Sequence, residues 1–177
     1  MKLKLFNGLV LMFLFSTQFA AFSQNDTVTE NATKYAQPEV VQAELSMLTP
    51  PEGFVVSDSF NGYIHYQASS AIILTLVKDA SYLNIMKGMT EEFFEKNKLT
   101  KISDSKIVTD NGTKGISYKF SFELSGQEFI RYMVYVGDLN QTLWLNITYP
   151  KHAEELVEGE ILRSIQTINL KPNRDEE

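Results

Sequence analysis

Residues 115–137 read GISYKFSFELSGQEFIRYMVYVG. In the first ten, Ile116, Tyr118, Phe120, Phe122 and Leu124 alternate with Ser117, Lys119, Ser121 and Glu123. A period of two belongs to a strand with one face buried. Ser125-Gly126 marks a turn, and Phe129 to Val136 returns as the next strand. A two-residue loop at Ser125-Gly126 would set Phe120 opposite Arg131. A three-residue loop, Ser125 to Gln127, sets Phe122 opposite Ile130, Phe120 opposite Tyr132 and Tyr118 opposite Val134. The longer loop matches every inward residue with an apolar one. A slip of one residue flips a whole strand, so apolar matching selects the longer loop as the expected register.

The pattern extends on both sides. Asn111-Gly112 is a type I′ hairpin signal that joins this strand to one around Lys106 to Asp110. Gly137-Asp138-Leu139-Asn140 leads to a strand over Thr142 to Tyr149, with Val134 against Leu145 and Tyr132 against Ile147. Upstream, Ala71 to Val77 (AIILTLV) reads as a central strand, and a segment near 40–48 as a further strand candidate. Between Ser81 and Leu99 the period changes: Tyr82, Ile85, Met86, Met89 and Phe93 recur at helical spacing. Gly88 splits the stretch, and Thr90 caps the second piece ahead of Glu91 and Glu92. After Pro150, a last helix buries Ala153, Leu156, Val157, Ile161, Ile165 and Ile168 and turns Glu154, Glu155, Glu158 and Glu160 to water. Hairpin strands with two helices to cover them predict an α+β fold, an antiparallel sheet with two helices packed mainly on one face.

The 177 residues carry 44% apolar and 21% charged side chains, which excludes wholesale disorder. There is no cysteine, which excludes a disulfide scaffold, thiol chemistry, cysteine-ligated metals and a lipidated lipoprotein cysteine. A formal net charge of -6 argues against a nucleic-acid partner. Lys2 and Lys4, the apolar run Leu9 to Phe15 and the closing Ala21-Phe22-Ser23 make residues 1–23 an expected signal peptide. That run is shorter than the roughly 20 residues a membrane span needs. Residues 24–38 read as a polar leader, 39–170 as a single domain and 171–177 as a charged tail. An exported protein, periplasmic or extracellular and without a transmembrane segment in its mature chain, is expected.

Several stretches resemble a known family. Met47-Leu48-Thr49-Pro50-Pro51-Glu52-Gly53-Phe54 is followed by Phe60-Asn61-Gly62-Tyr63 and then by the Ala71-Ile72-Ile73 strand. Phe94 and Asn97 precede the next strand. Tyr149-Pro150 steps into a helix that ends Ile161-Leu162-Arg163-Ser164-Ile165. Across roughly residues 44–168 this is similar to the PsbP-like, DcrB-like superfamily, most of all to small exported members from Bacteroidetes. The resemblance implies an antiparallel sheet with helices packed on one side, and action by docking onto other proteins. It implies no catalytic residue.

Chemistry-bearing motifs are few. The chain has no nucleophile elbow, P-loop, dinucleotide fingerprint or zinc-protease motif. Its only histidines are His65, in a strand or at its edge, and His152, in the first turn of the last helix; a hydrolase would have to use one of them. Adjacent acids such as Glu91/Glu92 and Glu154/Glu155 do not face each other on a helix, whereas Glu154 and Glu158 share a face. No catalytic residue, metal site or cofactor is expected. In the expected register the outward face of the meander carries Phe129, Met133, Tyr135 and Trp144, with Tyr135 opposite Trp144. Exposed aromatics beside methionine suit docking, so these four are the expected partner-binding residues. The expected function is a non-enzymatic docking or accessory module of the cell envelope with an envelope or secreted protein partner. A small-molecule or lipid pocket between sheet and helices is the alternative, and a hydrolase comes last.

Overall fold

Hairpin chemistry orders this chain, and a computed structural model that describes residues 37–171 shows the result. The strands β1 (Glu39–Gln42), β2 (Val55–Val56), β3 (Gly62–His65) and β4 (Ser70–Lys78) precede two short helices, α1 (Tyr82–Ile85) and α2 (Glu91–Lys96). A meander follows: β5 (Thr100–Val108), β6 (Lys114–Leu124), β7 (Gln127–Gly137) and β8 (Gln141–Pro150); the helix α3 (Glu154–Gln166) comes after it. Among the described residues eight strands form one antiparallel sheet in the order β2-β3-β4-β8-β7-β6-β5. β1 pairs with residues 75–78 of β4, beyond the stretch that β3 takes. The α+β class read from the sequence is the class observed. Residues 1–23, expected as a signal peptide, lie outside the described residues, as do 24–36 of the leader and 172–177 of the tail. No helix among the described residues is long and apolar enough to cross a membrane.

The central hairpin corrects the expected register. Ser125 and Gly126 both have positive φ, 53° and 77°, as a two-residue type I′ turn requires. Leu124 therefore pairs with Gln127, Phe122 with Phe129, Phe120 with Arg131, Tyr118 with Met133 and Ile116 with Tyr135. Apolar matching favoured the longer loop because it kept Arg131 off the inner side. The backbone twist that suits a primed turn decides otherwise, and the Phe122 ring receives the Arg131 guanidinium at 4.5 Å. The next hairpin is as expected, with Val134 against Leu145, Tyr132 against Ile147 and Tyr135 against Trp144. At Asn111-Gly112 only Gly112 has positive φ, and the turn is wider than type I′. There Asn111 Oδ1 accepts from the Thr109 and Thr113 hydroxyls and the Thr113 N–H.

This register gives the sheet two apolar faces. On one, Ile130, Tyr132, Val134 and Val136 of β7 and Leu143, Leu145, Ile147 and Tyr149 of β8 pack under Val157, Ile161 and Ile165 of α3. On the other, Ile116, Tyr118 and Phe120 of β6, Met133 and Tyr135 of β7 and Trp144 of β8 pack under Phe94, Met86, Met89 and their neighbours. The helices thus divide between the faces, where the sequence led us to expect one mainly covered side. The near-continuous apolar run 129–136 is what a strand buried on both sides needs. The local signals hold: Thr90 Oγ1 accepts the Phe93 N–H at 3.2 Å, and the chain tightens into a 3-10 turn at Met86–Gly88. Leu156, expected in the buried stripe of α3, is exposed.

A side chain at Gly126 would meet nothing within 4 Å, so replacing it tests backbone conformation alone. Gly126→Val should cost roughly 1–2 kcal/mol, the left-handed penalty for a branched residue. Ser125→Asn, better suited to positive φ, should add up to about 0.5 kcal/mol. Urea denaturation monitored by Trp144 fluorescence measures both; unchanged midpoints would contradict the turn.

Candidate functional site

The four residues expected to bind a partner are internal. Phe129, Met133, Tyr135 and Trp144 are 5%, 0%, 4% and 8% exposed. Tyr135 and Trp144 do stack, with ring centroids 6.0 Å apart. The segment from α1 to α2 lies over them: Met89 Sδ accepts the Tyr135 hydroxyl at 3.5 Å, and Ile85, Met86 and Phe93 pack alongside. Helical spacing from Tyr82 to Phe93 was legible in the sequence. Which face that segment covers depends on the register and was not.

His65 serves a turn, and His152 lies at the surface. His65 Nδ1 accepts the Ala68 N–H at 3.1 Å, and its ring stands edge-on to Phe54 at 5.3 Å. Gly53, at φ 79°, lets the backbone pass this ring, since a Cβ there would sit 2.6 Å from His65 Nε2. His152 Nδ1 lies 3.4 Å from Gln127 Nε2 on the surface. Among the described residues neither imidazole hydrogen-bonds to a serine or a carboxylate.

The densest polar cluster joins α3 to the sheet. Lys119 faces α3 because the observed register turns it to that side of β6. Its Nζ sits 2.7 Å from Glu154 Oε1 and 2.5 Å from Glu158 Oε1. Glu158 Oε1 also accepts the Tyr132 hydroxyl at 2.5 Å and the Tyr149 hydroxyl at 3.2 Å. Lys151 pairs with the second oxygen of Glu154. Burial opposes the charge on Glu158, but hydrogen bonds from Lys119 and Tyr132 outweigh it and hold its carboxyl below the ordinary range. At Glu154 burial is outweighed in the same way by Lys119 and Lys151. Burial raises the pKa of Tyr132, and the Glu158 carboxylate raises it further. Every charge here has a partner from this chain, so the cluster clamps the helix to the sheet. That Glu154 and Glu158 share a face was legible; their lysine was not.

An open site lies at one end of the sheet. A groove of about 530 Å³ runs between the β5–β6 turn, the β7–β8 turn, the start of α1 and the residues beyond α3. Leu83 and Leu139 line it with 54% and 80% of their surface exposed. Asn111 Nδ2 donates to Asn169 Oδ1 at 3.0 Å within the lining. Asp138 Oδ1 is taken up by the N–H groups of Asn140 and Gln141 at 2.7 and 3.0 Å. Lys114 and Lys171, also in the lining, form no ion pair among the described residues. The groove therefore offers two apolar anchors beside two cations that have no ion pair among the described residues. The sequence marked its loops as turns and did not show that they meet.

No protein-family profile and no curated protein matches the chain. Solved structures do. LpqN, involved in cell envelope biogenesis of Mycobacterium tuberculosis, is similar with a TM-score of 0.54 at 14% identity, over 72% of this chain and 80% of that one. PA94 from Pseudomonas aeruginosa, a protein of unknown function, has a TM-score of 0.46 at 12% identity, over 82% of this chain and 90% of that one. The likeness to LpqN is one of fold.

The clamp carries a pH signature. A carboxyl with a depressed folded-state pKa contributes stability above its unfolded value and loses it as pH falls through the folded one. Stability should therefore drop as the pH is lowered below about 4, where unperturbed carboxylates titrate. Glu158→Gln should cost about 1 kcal/mol at neutral pH, allowing for the partial exposure of the cluster, and should flatten this acid limb. Urea midpoints between pH 3 and 7 measure it; parallel curves for the two proteins would contradict the clamp.

Proposed function

We propose that this protein is an exported, non-enzymatic docking module of the cell envelope that takes an acidic, apolar-bearing segment of another protein in the groove at the end of its sheet. The observation that carries this reading is the pairing of exposed Leu83 and Leu139 with the cations Lys114 and Lys171, which have no ion pair among the described residues, in one concave surface. Exposed apolar side chains in a recess supply contact area, and two lysines on an otherwise acidic protein select a complementary charge. The site is built from loops on a rigid sheet, where binding surfaces commonly sit. Export rests on the sequence pattern of residues 1–23. The PsbP-like resemblance of residues 44–168 and the described role of LpqN in envelope biogenesis both fit an envelope setting.

A photo-crosslinking residue placed at Leu139 in cells tests the proposal, with the exposed Leu156 on α3 as the control position. The expected result is one protein adduct at residue 139, mapped to an acidic stretch and lost in the Lys114→Glu/Lys171→Glu variant. Equal labelling from residue 156, adducts indifferent to the lysine reversal, or adducts to lipid alone would overturn it.

A further inference from the structure

Arg131 lies within β7, opposite Phe120 on β6 and Thr148 on β8. It is 5% exposed, and among the described residues no carboxylate pairs with it. Its Nε donates to Thr148 Oγ1 at 3.4 Å, and the Phe122 ring lies 4.5 Å from Cζ. An arginine has five N–H donors. The four on the Nη atoms find no protein acceptor among the described residues. Burial alone pulls its pKa down to about 10, and no neighbouring acid offsets the loss of water. The side chain is sheathed by the sheet and the Phe122 ring while its Nη atoms keep an edge toward solvent, so the fork is both unpaired and reachable.

A second group on the same face is also incomplete. Asn146, two residues from Thr148 along β8, is 4% exposed, and its buried Oδ1 has no hydrogen-bond partner. On β4 the neighbours of Thr148 and Asn146 are Ala71 and Ile73. Ala71 is small, and Ile73, beside Asn146, is only half-buried. The row thus presents a cation with a free planar fork and a hydroxyl, next to a buried amide whose oxygen is orphaned.

We propose that Arg131, Thr148 and Asn146 form an anion-binding site on the β4–β8–β7 face, where the guanidinium fork grips a carboxylate or phosphate group and Phe122 flanks it. The fork geometry matches two oxygens of either group. The site is separate from the end groove and stands or falls without it.

The test is a side-chain NMR titration of the full mature protein with inorganic phosphate and, separately, with acetate at constant ionic strength. The expected result is a saturable shift of the Arg131 Nε–H and Asn146 amide signals with at least one anion; the tighter anion assigns the ligand class. Arg131→Lys, which keeps the charge and loses the fork, should weaken binding at least tenfold. Asn146→Asp supplies an internal carboxylate, so it should abolish binding while keeping a dispersed, folded spectrum, which covers the case in which Arg131 variants do not fold. The Lys114→Glu/Lys171→Glu variant should titrate like wild type. Shifts that stay linear with both anions, or that persist unchanged in Arg131→Lys and Asn146→Asp, would overturn the site.

Discussion

The two-residue turn at Ser125-Gly126 is the constraint on which the rest of the structure depends. It decides which side of the sheet each residue of β6 faces relative to β7. With it, Tyr118 and Phe120 join Met133 and Tyr135 beneath α1 and α2, and Lys119 reaches the acids of α3. One more residue in the loop would exchange these sets. The lysine would then lie among the aromatics, and Phe120 would face the carboxylates of Glu154 and Glu158. Neither arrangement has partners for its polar groups, so turn, ion cluster and aromatic packing support a single register.

Local signals in the sequence were legible wherever one strand or helix sufficed to read them. The alternation over 115–124, the cap at Thr90, the break at Gly88 and the pairing of Tyr135 with Trp144 all appear in the structure. Relations between elements were harder. Arg131 looked unsuited to the same side as the aromatics, because composition does not reveal that Phe122 stacks on it. Once the longer loop was preferred for that reason, Phe129, Met133, Tyr135 and Trp144 became an outward face, and the second layer of helix over them disappeared from view. Leu156 shows the same limit on a smaller scale: its spacing fits the stripe of α3, yet Val157 next to it takes the buried position and Leu156 faces water.

The functional reading follows from what the closed parts leave over. The α3 clamp pairs its own charges. The loops at one end of the sheet do not: they leave leucines and lysines exposed around a concave surface. Likewise the face next to Arg131 holds a charge without a counter-charge. The fold shared with LpqN is compatible with many activities, so function rests on these particular side chains and not on architecture.

The most direct measurement exploits the absence of cysteine from the chain. Glu123 and Glu128 are exposed and directly opposite each other in the observed register. With both replaced by cysteine, mild oxidation should close an intramolecular disulfide, since opposed strand positions place Cβ atoms within bonding range. A pair at positions 124 and 128 should stay reduced. Closure of the 124/128 pair with the 123/128 pair left open would show a three-residue loop and contradict the account.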